Sequence, residues 1–485
     1  MPADADSLLA GKRYAEAESA YRAALEAAPR DARLHYGLGI ALWELGRYEE
    51  AAAAQLRATT LQPDAGEAHY ELGNALAVLR RFDEAEGAYR RAIALRPKFA
   101  EAHSGLARVL IEQRQPEEAA ARARRALKLS PAHWPSHAVL GNALRELGRE
   151  KEAETAFRRA VALAPAADVA MPRYNLGTLL LALGKHDEGW PLYESRLEVS
   201  HSEWLLAADA RPQFGFPRWQ GEPVSGKRVV VWPEQGFGDA IFFARFVAPL
   251  AAAGAQVTLA AHPALKALFT SVQGAARVVA TDEAIGESFD YWTFITSLPA
   301  HAHDGEPAPV PYLAAPRERI EAWRARLPAG GFRVGLVWKG RPDFRRDRYR
   351  SLESFALLKP LWQASGASFF SLQKGVDESL PPSPAQPLVA LGAEIGDFAD
   401  SAAIVSQLDL VVTSDTAMAH LAGALGRPVW VLVPSYSTDW RWPRQGASCP
   451  WYPGAMRLFH QQRDGDWTKP IAEVAQGLRA AVLRS

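Results

Sequence analysis

Residues 228–241 read R-V-V-V-W-P-E-Q-G-F-G-D-A-I and indicate the fold of the larger part of the chain. The apolar run at 229–232 has the length and β-branched composition of a strand buried in a parallel sheet. It breaks at Pro233, passes two glycines and resumes as a helical pattern after Asp239. Such a turn places backbone N–H groups and a carboxylate at the C-terminal edge of a sheet, where open α/β folds bind ligands. The stretch is equally compatible with Asp239 capping a helix and the glycines shaping a turn.

Outward from this stretch, strand-like and helix-like runs alternate in two successive series. The predicted strands are 228–232, 256–261, 277–280 and 291–295, then 333–338, 367–372, 409–413, 428–433 and 456–459. Two βα series joined by a Pro-rich passage predict two Rossmann-like halves facing a cleft, at 226–316 and 317–485. The terminal helix, 471–483, is expected to cross back to the first half. The aromatic, Pro-rich passage 200–225 is expected to be a packed linker.

The first third of the chain is an array of repeats. Prolines fall every 34 residues, and alanines at two other phases keep the same period; the prolines are Pro29, Pro63, Pro97, Pro131 and Pro165. This period is typical of the tetratricopeptide repeat, a pair of antiparallel helices per unit with small residues where the helices cross. The pattern predicts an α-solenoid of about six repeats over 1–199, stacked into a superhelix with a concave groove.

Two series of outward positions are expected to line that groove. They are Tyr36, Tyr70 and Tyr174 in one register and Asn74, Arg108 and Asn142 in another. Asparagine can hydrogen-bond the backbone of an extended peptide, and tyrosine supplies adaptable contact area. The alternative is that these side chains are simply solvated.

Composition excludes several classes of protein. The 485 residues contain 55 Lys and Arg against 55 Asp and Glu, so no overall field favours nucleic acid. The single cysteine, Cys449, excludes a disulfide within the chain and a thiolate zinc site. The start, M-P-A-D-A-D, lacks the basic and apolar parts of a secretory signal, and no run is long enough to span a bilayer. We therefore expect a cytoplasmic protein.

The glycine loop at 236–239 does not match a dinucleotide fingerprint, because Ile241 stands in place of the third glycine. Gly236 and Gly238 shape the loop, and Asp239 could act as a general base that takes a proton from an attacking hydroxyl. A second strand end carries Ser414, Asp415 and Thr416 at a helix start suited to phosphate. His420 follows on that helix and would either face a ligand or lie in the core.

A basic run follows another predicted strand. Residues 339–350 read K-G-R-P-D-F-R-R-D-R-Y-R, with six basic and two acidic side chains. Fixed cations at a cleft edge would neutralise a leaving diphosphate without a metal. A solvated arginine-rich loop is the alternative. The pair Asp464 and Asp466 lies in a short polar turn after the last strand, so we predict no metal site.

Together these motifs resemble bacterial glycosyltransferases of the GT-B fold that are linked to tetratricopeptide repeats. That group resembles the ADP-heptose heptosyltransferases (glycosyltransferase family 9) and, more distantly, the O-GlcNAc transferases. The resemblance spans about 189–467 and rests on ordered motifs, among them G-W at 189–190, E-Q-G-F-G-D at 234–239, V-W at 337–338, S-L-Q at 371–373, D-T-A at 415–417, A-H-L-A-G at 419–423 and D-W-R-W at 439–442.

The resemblance implies a metal-independent, inverting transfer of a sugar from a nucleotide-sugar donor. Asp239 matches the base of the heptosyltransferases, and Asp415, Thr416 and His420 match the donor-binding helix start. Arg350 matches the phosphate-binding cation. Lys339 and Ser414 are expected beside the donor, in a pocket shaped by Trp338, Gln373 and Trp440. No cofactor is implied beyond the donor itself.

The sequence therefore predicts a glycosyltransferase whose repeats dock a protein acceptor, such as flagellin modified on Ser or Thr. One alternative is a transferase acting on an envelope or lipid-linked glycan. Another is a non-catalytic repeat scaffold with a vestigial GT-B domain. Neither the sugar nor the nucleotide base is indicated by the sequence.

Overall fold

The computed structural model describes residues 5–199, 212–285, 288–301, 309–327, 330–344, 347–375, 377 and 388–484. The chain forms two compact units, Met1–Leu179 and Leu180–Ser485, called unit 1 and unit 2 below. The boundary falls inside one helix, Ala170–Ala182. The second helix of the sixth predicted repeat thus folds with unit 2.

Unit 1 is a helical solenoid of tetratricopeptide repeats. Its helices are α1 (Ala5–Ala10), α2 (Tyr14–Ala27), α3 (Ala32–Glu44), α4 (Tyr48–Leu61), α5 (Gly66–Val78), α6 (Phe82–Leu95), α7 (Ala100–Glu112), α8 (Pro116–Leu129), α9 (Trp134–Glu146), α10 (Glu150–Leu163) and α11 (Ala170–Ala182). Helices α2, α4, α6, α8 and α10 each end two residues before a repeat proline, whose ring cannot continue a helix.

Glycine keeps the repeat helices close together around buried aromatic rings. The ring of Tyr89, on α6, lies between Gly73 of α5 and Gly105 of α7. A Cβ atom on Gly105 would lie only 2.6 Å from that ring, and one on Gly73 only 2.8 Å. Phe157 contacts Gly141 in the same way. The pair Gly73 and Tyr89 thus recurs as Gly141 and Phe157 two 34-residue periods later, with the glycine and the ring as the two sides of one contact.

A recurring histidine stabilises each turn between repeats. The imidazole Nε2 atoms of His35, His69, His103 and His137 lie 3.0–3.2 Å from the carbonyl oxygens of the prolines six residues earlier. These histidines share the 34-residue period, so they are a further signal of the repeat beside the prolines and alanines. Each pair ties the start of one repeat to the end of the previous one.

Unit 2 begins with α12 (His186–Tyr193) and a 3₁₀ segment, Glu194–Glu198, followed by a parallel four-stranded sheet. Its strands are β1 (Arg228–Trp232), β2 (Gln256–Ala261), β3 (Ala275–Ala280) and β4 (Tyr291–Phe294), in the order β3-β2-β1-β4. The helices of this half are α13 (Phe237–Phe243), α14 (Val247–Ala252), α15 (Pro263–Phe269) and α16 (Leu298–His301). Three valines of β1 are fully buried, as expected of a central parallel strand.

A second parallel sheet forms the rest of unit 2, in the order β10-β9-β8-β5-β6-β7. Its strands are β5 (Phe332–Val337), β6 (Ala367–Ser371), β7 (Leu388–Ala390), β8 (Leu410–Ser414), β9 (Val429–Val433) and β10 (Met456–His460). The helices are α17 (Arg317–Arg324), α18 (Asp347–Arg350), α19 (Phe398–Val405), α20 (Ala417–Ala424) and α21 (Thr468–Val482). The α/β prediction is confirmed by these two parallel sheets with helices.

Two expectations about the ends of unit 2 have different outcomes. The linker residues that the structure describes, from 212 onward, pack on the first sheet: the ring of Phe214 lies 5.4 Å from Trp232 and 5.7 Å from Trp292. Trp204 lies outside the described residues. The terminal helix α21 does not show the expected crossing, because its buried residues Ile471, Val474 and Leu478 belong to the core of the second sheet.

Candidate active site

The turn after β1 brings the carboxylate of Asp239 to the edge of the first sheet. Gly236 precedes the first residue of α13, and Asp239 is the third residue of that helix. The backbone N–H of Gly236 donates to Oδ2 of Asp239 over 3.2 Å. Asp239 therefore does cap the helix start, as the plainer interpretation expected, and its other oxygen remains available for a second contact.

The second contact comes from the other half of unit 2. Nη2 of Arg441 donates to Oδ1 of Asp239 over 2.6 Å. Nη1 of Arg441 also donates to both oxygens of Asp439, over 3.0 and 3.1 Å. The Arg441 side chain is 3% exposed and that of Asp239 is 24% exposed. The carboxylate of Asp239 is thus partly exposed to solvent, while the guanidinium that it contacts is buried behind it.

Aromatic rings hold the Arg441 guanidinium in place. Its carbon lies 4.6 Å from the ring centre of Phe242 and 4.5 Å from that of Trp440. Cation–π contacts of this kind strengthen when the cation is removed from water. Trp440 is half-buried and packs on Trp190 at 5.5 Å and on Trp451 at 5.7 Å. Trp440 therefore supports the site, and part of its surface remains open.

Competing influences set the ionisation of Asp239. Burial raises the pKa of its carboxyl and Asp439 raises it further, whereas Arg441 and the Gly236 N–H lower it. The net direction is upward from the usual aspartate value. A carboxylate whose pKa approaches the working pH is a better proton acceptor than an ordinary surface aspartate.

The second helix start, at the end of β8, meets the first directly. A Cβ atom on Gly238 would lie 3.0 Å from Cδ2 of His420 and 3.4 Å from Cα of Ala417. Only a residue without a side chain allows α13 and α20 to approach this closely. No space for a ligand remains between Gly238 and α20. A ligand must therefore bind beside this contact.

The protein itself occupies one of the amides expected to bind phosphate. The Thr416 hydroxyl accepts from the N–H of Met418 over 3.3 Å, as an N-cap residue does. Ser414 is fully buried, and among the described residues its hydroxyl has no hydrogen-bond partner. Burial raises the pKa of Asp415, while Arg350 lowers it. This helix start is thus only partly open to an anion.

Lys339 lies on the loop after β5, and Arg350 is the last residue of α18. Nε of Arg350 donates to Asp347 over 3.2 Å, and the Arg350 side chain is 19% exposed. Nζ of Lys339 lies 2.9 Å from Asp377, and its side chain is 22% exposed. Each cation therefore has a carboxylate partner, Arg350 within α18 and Lys339 in the chain after β6, while part of each side chain faces solvent.

Besides Ser414, three residues predicted to contact the donor are buried instead. Trp338 is 1% exposed and belongs to the core of the second sheet, with its ring 4.7 Å from Phe355. Gln373 is 1% exposed, and its Oε1 accepts from the backbone N–H groups of Trp338 and Lys339 over 3.1 and 3.0 Å. These two side chains support the loop that carries Lys339. This corrects the expectation that they line a pocket.

His420 is the third of these residues. It is 5% exposed, its Nδ1 lies 2.9 Å from the Tyr452 hydroxyl, and its ring stacks 5.0 Å from Trp442. Burial, reinforced by Arg441, holds its pKa well below the usual histidine value. Of the two positions that the sequence allowed, His420 takes the one in the core.

Arg245, which was not predicted from the sequence, joins the two halves of unit 2. It is 1% exposed, and its guanidinium lies 4.4 Å from the ring of Tyr312 and 4.8 Å from that of Tyr452. Nη1 donates to the carbonyl of Trp451 over 3.0 Å. Arg245 lies just after α13, so it and Arg441 both connect this part of the first half to the chain after β9.

The predicted groove residues of unit 1 are partly engaged with their own repeats. Oδ1 of Asn74 accepts from the Tyr89 hydroxyl over 2.7 Å, and Nδ2 donates to Glu71 over 3.1 Å. Nη2 of Arg108 donates to the same hydroxyl over 3.4 Å. Arg108 is exposed, and the other predicted positions are half-buried; these are Tyr36, Tyr70, Asn142 and Tyr174.

Within the described residues, no group of three or more His, Cys, Asp or Glu side chains is arranged to hold a metal ion. None of the helices that the structure describes has the length and apolar character needed to cross a bilayer.

Comparison with known proteins supports the repeat assignment. The tetratricopeptide repeat family matches residues 3–65, 66–99 and 104–168. A curated relative, Protein FlbA of Caulobacter vibrioides, is 31% identical over 347 residues, which cover 64% of this chain and 55% of that protein. The chain thus spans about half the length of this relative. Since unit 1 ends at Leu179, the match extends into unit 2.

Solved structures are similar to part of the chain. MamA is 24% identical with a TM-score of 0.31, and the match covers 33% of this chain and 92% of that one. TTC0263, a thermophilic tetratricopeptide repeat protein of Thermus thermophilus, is 26% identical with a TM-score of 0.32. The match covers 35% of this chain and 91% of that one.

Proposed function

We propose that unit 2 is a metal-independent, inverting glycosyltransferase with the two-domain GT-B arrangement. In this reaction the acceptor hydroxyl loses its proton to Asp239 while its oxygen attacks the anomeric carbon of a nucleotide-sugar. The bond between that carbon and the phosphate oxygen breaks, and the nucleotide phosphate leaves with the electron pair. Attack opposite to the leaving group inverts the configuration of the sugar.

The observation that carries this proposal is the setting of Asp239. Its carboxylate is held from two sides, by the N–H of Gly236 and by Arg441, and still exposes 24% of its side chain. A carboxylate oxygen has room for more than one hydrogen bond, so an acceptor hydroxyl can bind without displacing Arg441. Fixed orientation and a raised pKa are the two properties that a general base needs.

The second sheet supplies positive potential for the departing phosphate. The start of α20 contributes the positive end of a helix dipole, although Thr416 already bonds one of its amides. Arg350 and Lys339 follow β5, the strand next to β8 in the sheet, and both keep part of their side chains exposed. Preorganised cations of this kind stabilise charge that develops in the transition state.

A protein acceptor is proposed to bind unit 1. Repeats of this kind present a concave face to polypeptides. Near the middle of this face, one hydrogen-bonded group offers both signs of charge and an amide; it includes Glu71, Asn74 and Arg108. The resemblance to repeat-linked glycosyltransferases motivates flagellin as the acceptor, modified on Ser or Thr within the cytoplasm.

Replacement of Asp239 tests the chemistry. The Asp239→Asn variant should lose transfer by about 10²–10⁴-fold, the usual contribution of a positioned base. Asp282→Asn, an exposed aspartate in the turn after β3, is the matched control and should retain full transfer. Release of nucleotide and the intact mass of the acceptor are the measurements. Unchanged turnover in Asp239→Asn would refute the assignment of the base.

A nucleotide panel identifies the donor. A nucleotide that binds only the folded protein raises its melting temperature. At a nucleotide concentration 100 times the Kd, binding adds about 2.7 kcal/mol to the free energy of unfolding. Asp239→Asn should keep this shift, because the base is proposed to contact the acceptor. The absence of any shift with nucleotides, together with no hydrolysis of nucleotide-sugars, would favour a non-catalytic scaffold.

The acceptor is tested separately. Intact-mass analysis of flagellin co-expressed with the protein should show added sugar, and Arg108→Glu in the groove should weaken this modification. Arg125→Glu, an exposed arginine on α8, the second helix of its repeat, is the control. If sugar is transferred to an envelope glycan while flagellin stays unmodified in every variant, the protein acceptor is refuted.

A further inference from the structure

The segment directly after the repeats contains a buried ion-pair network. Arg196, in the 3₁₀ segment Glu194–Glu198, has a fully buried side chain. Its Nε and Nη2 donate to Oε2 of Glu234 over 3.1 and 2.8 Å, and Nη1 pairs with Glu194. Nη2 also donates to the hydroxyls of Thr296 and Ser297, each over 2.8 Å. A buried arginine with this many partners fixes the position of every group it contacts.

Glu234 belongs to the turn that leads to the proposed base. It is 3% exposed and lies two residues after the end of β1. Thr296, which follows β4, also donates its hydroxyl to Glu234. Glu234 is thus held both by the neighbouring strand end and by the segment that contains Arg196.

The next residue in the turn has a strained backbone. Gln235 has a φ of +67°, a conformation that residues other than glycine rarely adopt. Such a conformation persists only where surrounding contacts require it, and it is common at functional sites. The side-chain Nε2 of Gln235 lies 3.0 Å from the hydroxyl of Tyr193, the last residue of α12. Tyr193 therefore contacts the strained Gln235, and Arg196, three residues further along the same segment, contacts Glu234.

The Glu234–Gln235 turn determines where Asp239 lies. Gly236 follows Gln235 directly, and its N–H is the donor to Oδ2 of Asp239. We propose that Tyr193 and Arg196 are positioning residues that fix this turn and thereby aim the Asp239 carboxylate. They contact neither substrate nor reacting atoms. This inference rests on the proposed function, because it identifies the residues that orient the general base in that reaction.

Glu194 and Arg196 keep their charges over a wide pH range. Burial opposes ionisation of Glu194, but Arg196 and the hydrogen bonds around it prevail and lower its pKa to about 2. The pKa of Arg196 is raised above its usual value by Glu234 and Glu194, against the effect of burial. The Nε2 atom of His301 also lies 3.7 Å from Glu194. The geometry of the turn should therefore stay constant wherever the enzyme works.

Two conservative variants test the proposal. Tyr193→Phe removes only the hydroxyl on Gln235, and Arg196→Lys keeps the buried charge but cannot reach all its partners. Tyr291→Phe is the control, because Tyr291 begins β4 at the opposite end of the first sheet. Amide hydrogen exchange of the full chain without substrate gives the first measurement.

We expect amides in 234–240 to lose protection by about tenfold in Tyr193→Phe, with β2, β9 and unit 1 unchanged, because only the turn is released. Unchanged protection at 234–240, or an equal loss throughout unit 2, would overturn the proposal. Should Arg196→Lys fail to fold, Tyr193→Phe alone decides.

Kinetics give the second measurement. A misplaced base should lower kcat by about 10- to 100-fold and leave the KM for the donor unchanged. A rise in donor KM with kcat unchanged would contradict positioning. If the wild-type chain transfers no sugar at all, the proposed function fails, and hydrogen exchange still decides whether Tyr193 holds the turn.

Discussion

Arg441 and Asp239 are 202 residues apart in the sequence, and their side chains meet over 2.6 Å where the two parallel sheets of unit 2 adjoin. The contact joins the helix start after β1 to the loop after β9. Asp439 shares the same guanidinium, so one buried cation serves two carboxylates. The ionisation of the proposed base is therefore controlled from the other half of the unit.

Replacing Arg441 should move the pH dependence of transfer. Arg441 lowers the pKa of Asp239 against the effect of burial, so Arg441→Met should raise that pKa further and shift the acid limb of the kcat/KM profile to higher pH. Loss of the buried cation should also cost about 3–5 kcal/mol of stability. Arg457→Met, an exposed arginine on β10, is the control. An acid limb that stays in place would show that Asp239 does not limit the rate.

His420 should make the fold sensitive to acid. Its pKa lies well below the usual value in the folded protein, whereas the unfolded chain takes up the proton near pH 6.5. The unfolded state therefore binds more protons below that pH, and stability is lost as pH falls, by about 1.4 kcal/mol per unit for one group. His420→Phe should flatten the pH dependence of the melting temperature between about pH 6.5 and 5. An identical slope in both proteins would contradict this.

Two glycines of unit 1 should respond to alanine in opposite ways. In Gly105→Ala the new methyl group would lie 2.6 Å from the ring of Tyr89, and this overpacking should cost about 1–3 kcal/mol. In Gly87→Ala, inside α6, no described atom beyond the adjoining residues and the helix's own backbone lies within 4 Å of the new Cβ, so the higher helix propensity of alanine should add about 1 kcal/mol. Chemical denaturation of both variants measures the difference. Equal effects would show that Tyr89 can move.

Cys449 should be unreactive in the folded protein. The side chain is 1% exposed, and burial raises the pKa of its thiol to about 12, so almost no thiolate exists at neutral pH. A thiol reagent should label the chain only after denaturant is added. Rapid stoichiometric labelling without denaturant would mean that the region around Trp451 opens readily.

The periodic parts of the fold could be predicted from the sequence because each repeat carries its own packing. The contact of Tyr89 with Gly73 recurs two periods later as that of Phe157 with Gly141, which fixes how the paired helices cross. The buried strands were recognised because they contain apolar runs, such as 229–232 in β1. Strand β7 was missed because it has only three residues and follows a Pro-rich passage.

The candidate site was predicted less completely, for physical reasons. Asp239 was found because a strand and two glycines mark its turn. Arg441 was part of a recognised motif, but no local pattern connects it with a partner 202 residues away. Trp338 and Gln373 follow strand ends, where a side chain can face a ligand or the core with the same sequence signal. Burial decides between these positions, and burial depends on the whole fold.

The indole rings beside Arg441 also make the site visible to optical methods. Trp440 stacks on its guanidinium, and Trp190 and Trp451 surround Trp440 at 5.5 and 5.7 Å. Emission from an indole depends on the electric field around it, so movement of this cation should change the intrinsic fluorescence. The chain thus carries its own reporter of ligand arrival, readable in a stopped-flow cuvette without any attached dye.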